Sequence, residues 1–208
     1  MHFLSEEQRS EFAKINARLG LGPEEFTVDA DEEMNVRLPE TDSTEIRMSS
    51  SGGSDFTPHI MPVASIEDLR HIIDPPTFGH LVEGETPKIP APIEEVMSAE
   101  ALTNVSHLEL RPHITPELLE HIKEAATVFA FGDAAAVETY TTLINAALYP
   151  GKLAAFTGPK LVVPPGKKLV ITGEDPVMLN FGEITMSEGA ELVVHTQFSI
   201  NCQKFGSA

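Results

Sequence analysis

Two stretches near the end of the chain, PKLVVPPGKKLVITGEDP from Pro159 and GEITMSEGAELVVHTQFSI from Gly182, carry one pattern twice. At a constant offset of 23 residues Leu161 matches Ile184, Val163 matches Met186, Gly166 matches Gly189, Leu169 matches Leu192, Val170 matches Val193 and Ile171 matches Val194. Such self-similarity constrains the fold more than any other feature of the sequence, because a repeated supersecondary unit must stack on its own copy to bury its apolar side.

Strands turn alternate side chains to opposite faces. That period places Leu161, Val163, Leu169 and Ile171 inward in one copy and Ile184, Met186, Leu192 and Val194 inward in the other. Between the strands stand Pro165-Gly166 and Glu188-Gly189. Pro before Gly suits a type II turn, whose third residue needs positive φ, and such turns splay a tight hairpin. A corner between successive strands of a coil is therefore expected. Each copy has a third strand, PVMLNF from Pro176 and QFSINC from Gln197, matched at the shorter offset of 21. Strand, turn, strand, turn, strand in one short unit resembles a rung of a β-solenoid. The resemblance covers about residues 153–202, with LAAF at 153–156 closing an earlier, irregular rung. A β-sandwich built from the same strands is the alternative.

Upstream of Gly151 the periodicity is mixed. Ser5 followed by Glu6 and Glu7 predicts a helix start, with Phe12, Ile15 and Leu19 on one stripe and Gly20 as its stop. Met34, Val36 and Leu38 alternate as a brief strand, and SSSGGSDFTP from Ser49 reads as a flexible connector of poor order. Ser65 opens a second helix, SIEDLRHII, ended by Asp74-Pro75-Pro76. The proline-rich tract at 75–92 reads as an extended arm. Ser98–Asn104 is expected to make a turn or two of helix, and Val105–Arg111 a strand. Thr115-Pro116-Glu117 starts a helix over 115–126, TVFAF has strand chemistry, and 133–149 keeps helical spacing. The expected organisation is α+β: an acidic, partly extended region with two short helices over 1–95, then an α/β body over 96–208 whose β-rich tract of repeated strand-turn-strand units begins near 153. The helices after Thr115 would cap one end of the stack.

Charge narrows the partners. The formal net charge is −18, and residues 1–100 hold 21 acids against 7 bases. Phosphate binding depends on clustered Lys and Arg, so nucleic acid is not expected as a partner and an anionic membrane fits poorly. No apolar run reaches the ~20 residues of a membrane span, and no signal peptide is visible. A soluble protein, cytoplasmic or exported without such a signal, is expected. Insertion of the apolar 133–149 segment into a membrane fits less well than a core helix, given its Tyr, Thr and Ala content.

No catalytic signature is present. Phosphate-cradling Gly loops are absent, and Ser187 in TMSEGA lies in no nucleophile elbow. The single cysteine, Cys202, allows no internal disulfide and reads as a packed thiol. Imidazole being a common ligand, His107, His113 and His121 with Glu117 form the candidate set for a divalent metal, although no HExxH or HxH spacing supports it. The outward residues Lys167, Lys168, Glu183, Thr185, Glu188, Glu191 and Thr196 make a polar face able to meet glycan or protein. The chain also stops just after a strand, and a bare strand edge recruits another chain. The sequence thus favours a non-enzymatic binding or self-assembling protein that uses an exposed β-edge or polar face; a metal-dependent enzyme with a histidine site in a β-rich cavity is the alternative.

Overall fold

The computed structural model describes residues 1–40, 43–74 and 111–207, with only the backbone of His113. Over these residues the protein is α+β, with four α-helices and two sheets, one parallel and one mixed. The chain divides into two compact units. Residues 1–61 and 152–208 form a strand unit, and 62–151 a helical unit. The boundary expected at 95/96, the proline-rich arm, the Ser98–Asn104 turn and almost all of the Val105–Arg111 strand lie outside the described residues.

The strand unit begins with α1 (Glu6–Arg18). Ser5 caps it in a capping box: its hydroxyl accepts from Gln8 N while Gln8 Oε1 accepts from Ser5 N. The strands follow as β1 (Glu45–Ser49), β2 (His59–Val63), β3 (Gly151–Val163), β4 (Lys168–Thr172), β5 (Val177–Met186), β6 (Glu191–Val194) and β7 (Phe198–Ser207). One sheet has the order β1-β4-β6 and the other β2-β3-β5-β7. From β3 to β7 the chain alternates between the two sheets, and every pairing among these strands is parallel.

Registers follow the sequence offsets. Lys160 pairs with Glu183, Leu161 with Ile184 and Leu169 with Leu192, each 23 residues apart, while Val177 pairs with Phe198 at 21. The two corners share one turn geometry. Lys167 N donates to Pro164 O and Ala190 N to Ser187 O, with Gly166 and Gly189 at φ +69° and +71° in the third position of each turn. Glycine takes that left-handed conformation without the Cβ penalty other residues meet.

Between the sheets lies the core of the unit, built from Ile46, Met48, Ala154, Phe156, Leu161, Val163, Leu169, Ile171, Val177, Leu179, Phe181 and Ile184. The outer side of β5 carries α1. There the buried Asn180 donates to Asn16 Oδ1 at 2.8 Å, and Asn16 donates to Gly22 O and Glu25 O. Gly182 lets the N-terminus close in, since a Cβ there would stand 2.6 Å from Pro159 O and 2.9 Å from Met1 Sδ.

Several local expectations change. The Ser49–Pro58 stretch is no loose connector: Asp175 N donates to Ser50 Oγ, Glu174 N to Ser51 Oγ and Ser49 N to Ser54 Oγ. Residues 30–36 form isolated bridges, Ala30 with Val36 and Asn35 with Lys160, in place of a continuous strand.

In the helical unit α2 (Ile66–Ile73) is capped by Ser65, and α3 (Pro116–Phe131) by Thr115 with Pro116 in its first turn. TVFAF, expected as a strand, is the last turn of α3. Val128, Phe129 and Ala130 are all buried, so the apolar run reflects a helix end enclosed on most sides. The expected helix over 133–149 is a 3-10 segment (Ala134–Tyr140) followed by α4 (Thr141–Leu148), with the break at Val137 (φ −129°). Arg70 donates to Phe129 O and Gly132 O, and so satisfies carbonyls that the end of α3 leaves open.

Candidate interaction surface

Stacked side chains in the strand unit form columns running from layer to layer. Inward columns are apolar: Ile46, Leu169 and Leu192; Met48, Ile171 and Val194; Phe156, Leu179 and Ile200; Leu161, Ile184 and Phe205. Their first two members are essentially buried. The last members open to solvent, with Leu192 at 38%, Val194 at 37% and Phe205 at 61% exposure. Phe198, Ile200 and Cys202 pack on the core from the same last layer and are only partly buried. Leu192 and Val194, expected inward, do continue the apolar columns, but no further layer covers them among the described residues.

The opposite end is closed by the chain itself. Val36 N donates to Lys160 O, and Thr27 N and Val28 N donate to Thr157 O. On the outer edge of β1, Arg47 N donates to Asp55 Oδ2 and Asp55 N to Arg47 O. Val28 and Val36 are buried in the core, and Leu38 and Phe56 pack against it. At the far end β6 has β4 as its neighbour and β7 has β5, so among the described residues each presents one unpaired backbone edge.

The polar face is largely self-satisfied. Lys168 pairs with Glu191 at 2.7 Å and Lys160 with Glu183 at 3.1 Å. Thr185 donates to Glu183, and Thr196 to Asp175 O. The hydrogen bond and charge of Glu191 hold Lys168 above its ordinary pKa. Burial pushes the Cys202 thiol up, which disfavours the nucleophilic thiolate.

Of the expected metal set, His107 lies outside the described residues, as does the side chain of His113. Glu117 and His121 stand one turn apart on α3, Glu117 exposed and His121 partly so. His121 Nδ1 is buried without a hydrogen-bond partner, and Glu124 at 3.8 Å is an ion-pair neighbour beyond hydrogen-bonding reach. Among the described residues no three His, Cys, Asp or Glu side chains gather as a metal cluster.

The helical unit holds a cavity of about 320 Å³ lined by Ser65, Arg111, Asn145 and Tyr149. Its polar groups are engaged internally. Arg111 donates to Ala146 O at 2.7 Å and Tyr149 O at 2.8 Å, and Asn145 accepts from Ile66 N and donates to Glu67. Burial, and then the Glu67 carboxylate, raise the Tyr149 phenol well above its ordinary pKa, so it stays protonated near neutrality.

What the sequence missed is the asymmetry between the two ends of the strand unit. Nothing periodic in residues 27–56 marks them as the cover of the other end. No helix among the described residues is long and apolar enough to cross a membrane. No protein-family model matches the chain, and neither a curated protein nor a solved structure matches it.

Proposed function

We propose that this chain is a non-enzymatic binding or assembly protein whose strand unit is a short parallel coil of the β-solenoid kind, docking a protein chain on its uncovered last layer. The observation that carries this reading is the exposure of Leu192, Val194 and Phe205 at the ends of columns that are buried everywhere else. An apolar layer flanked by free strand edges suits strand addition: main-chain hydrogen bonds supply affinity, and the apolar side chains between the edges supply buried area. A protein partner fits better than a glycan, because several outward polar groups, Lys160 with Glu183, Lys168 with Glu191 and Thr185 with Glu183, are already paired.

The environment-sensitive dye bis-ANS and amide hydrogen exchange test this, on the full chain and on a Leu192→Lys/Phe205→Lys variant. An open layer binds the dye and loses it in the variant; an occupied layer shows β6 and β7 amides protected in the wild type and released in the variant. Absence of both effects overturns the reading.

A second reading is a divalent metal held by His107, His113, His121 and Glu117. It draws on the orphaned His121 Nδ1 and on the placement of Glu117 one helical turn away. Stoichiometric metal by elemental analysis supports it; metal-free protein with a melting temperature unchanged by chelation removes it.

A further inference from the structure

We infer that the occupant of the open layer is a second copy of this chain, joined about a twofold axis into a closed dimer; the inference rests on the reading of that layer as a docking surface. Three observations select this partner.

Among the described residues the two ends of the strand unit differ: β2 lies beyond β3 at one end, and β6 and β7 end the sheets at the other. Residues 27–38 and 54–56 cover the β1–β3 end, where Asp55 and Asn35 occupy positions that a stacking neighbour would need. Head-to-tail stacking joins unlike ends and would propagate into a filament. With the β1–β3 end covered, the β6–β7 ends meet each other, and that contact closes after two copies.

Charge opposes such a meeting less than the whole-chain value implies. Although the chain carries −18, residues 152–208 hold five lysines against five acids, a net of zero, so the excess acid lies in the remainder of the sequence. Two such tails can approach without the repulsion that the whole-chain charge implies.

The outward charges also end in a self-complementary way. In one sheet Lys160, Glu183 and Lys204 stand in register, and in the other Glu45, Lys168 and Glu191. Signs alternate along both columns, and ion pairs join Lys160 to Glu183 and Lys168 to Glu191. The first column ends on a base and the second on an acid. A twofold axis that sets Lys204 of one copy against Glu191 of the other continues both alternations at once, and makes the ion pair twice. The same contact covers Leu192, Val194 and Phe205 and pairs the free edges of β6 and β7. One patch serves both copies, as a twofold interface requires.

Sedimentation velocity on the full chain across a range of concentrations tests the dimer. The expected mass is twice 22.6 kDa. Lys204→Glu and Glu191→Lys should each weaken the dimer roughly tenfold or more, as loss of a close interfacial charge pair does. The double swap should restore it, since each new lysine then faces a new glutamate. Lys204 also donates to Phe3 O within its own copy. The double swap loses that bond too, so its rescue reports the interface. Should a variant fold poorly by circular dichroism, slowing of Phe198–Lys204 amide exchange with rising wild-type concentration gives the same answer. A wild type monomeric throughout, a mass that grows beyond two copies, or a double swap no tighter than the singles overturns the inference. A monomer that still binds bis-ANS at Leu192 and Phe205 leaves the docking reading standing and removes only the twofold partner.

Discussion

Leu179 and Ile200 occupy one column, one layer apart, and should respond very differently to truncation. Leu179 is fully buried between Phe156 below and Ile200 above. Leu179→Ala removes its methyl groups from contact on every side, and the neighbouring layers are held by strand pairing that cannot collapse inward. The cost should fall in the range of buried Leu→Ala changes, about 3–4 kcal/mol. Ile200 packs on the same core but is partly exposed, with nothing above it among the described residues. Part of its transfer energy is never gained, and Ile200→Ala leaves a notch open to water, so the loss should be about 1–2 kcal/mol. The chain has no tryptophan. Urea unfolding is therefore best followed by far-UV circular dichroism at low protein concentration, with hydrogen exchange of Val177–Met186 assigning the loss to the strand unit. Equal costs for the two substitutions in the monomer, or a Leu179→Ala cost below about 1 kcal/mol, would refute the idea of stacked layers with one open end.

Three further outcomes are expected. Gly182→Ala would drive a Cβ to within 2.6 Å of the Pro159 carbonyl, a backbone atom with little room to retreat, and should lower stability by about 1–3 kcal/mol in thermal melts. Asn180→Ala strips Asn16 Oδ1 of its donor in a buried site, costing about 1–3 kcal/mol, whereas replacing both asparagines with apolar residues should recover part of the loss. Asp31 accepts from Asn35 N and Glu33 N, and the first of these bonds leads in holding its carboxyl below the ordinary value of 3.8. A depressed folded pKa means this stabilisation is present above pH 3.8 and fades as acid protonates the group, so Asp31→Asn should flatten the acid limb of the stability profile.

Several strand pairings of the tail fall at the offsets read from the sequence. Stacking requires like residues at like heights, so the offset of 23 between Leu169 and Leu192 is also their pairing register. Helix starts were equally legible at Ser5, Ser65 and Thr115, because capping is a local transaction between one hydroxyl and one N–H. TVFAF misled, since an apolar run of five has the same composition in a buried helix end as in a strand. Glu45–Ser49 gave no warning of joining β4: its partner lies far along the chain, and no periodicity links the two. Which column members would be left exposed depends on the cover at the other end, and that cover is built from unrepeated residues with no signature of their own.

The strand unit is split in sequence, its two portions separated by the whole helical unit. Glu45 leaves the ribosome 123 residues ahead of Lys168, the residue it will face. At ordinary elongation rates of 5–20 residues per second that is a wait of roughly 6–25 s. During synthesis residues 62–151 are all made while the first-made strand still lacks its neighbour. Assembly order is thus the reverse of translation order for the outermost layer, and β1 with its flanking loops is the part of the nascent chain that most needs shielding until the last strands arrive.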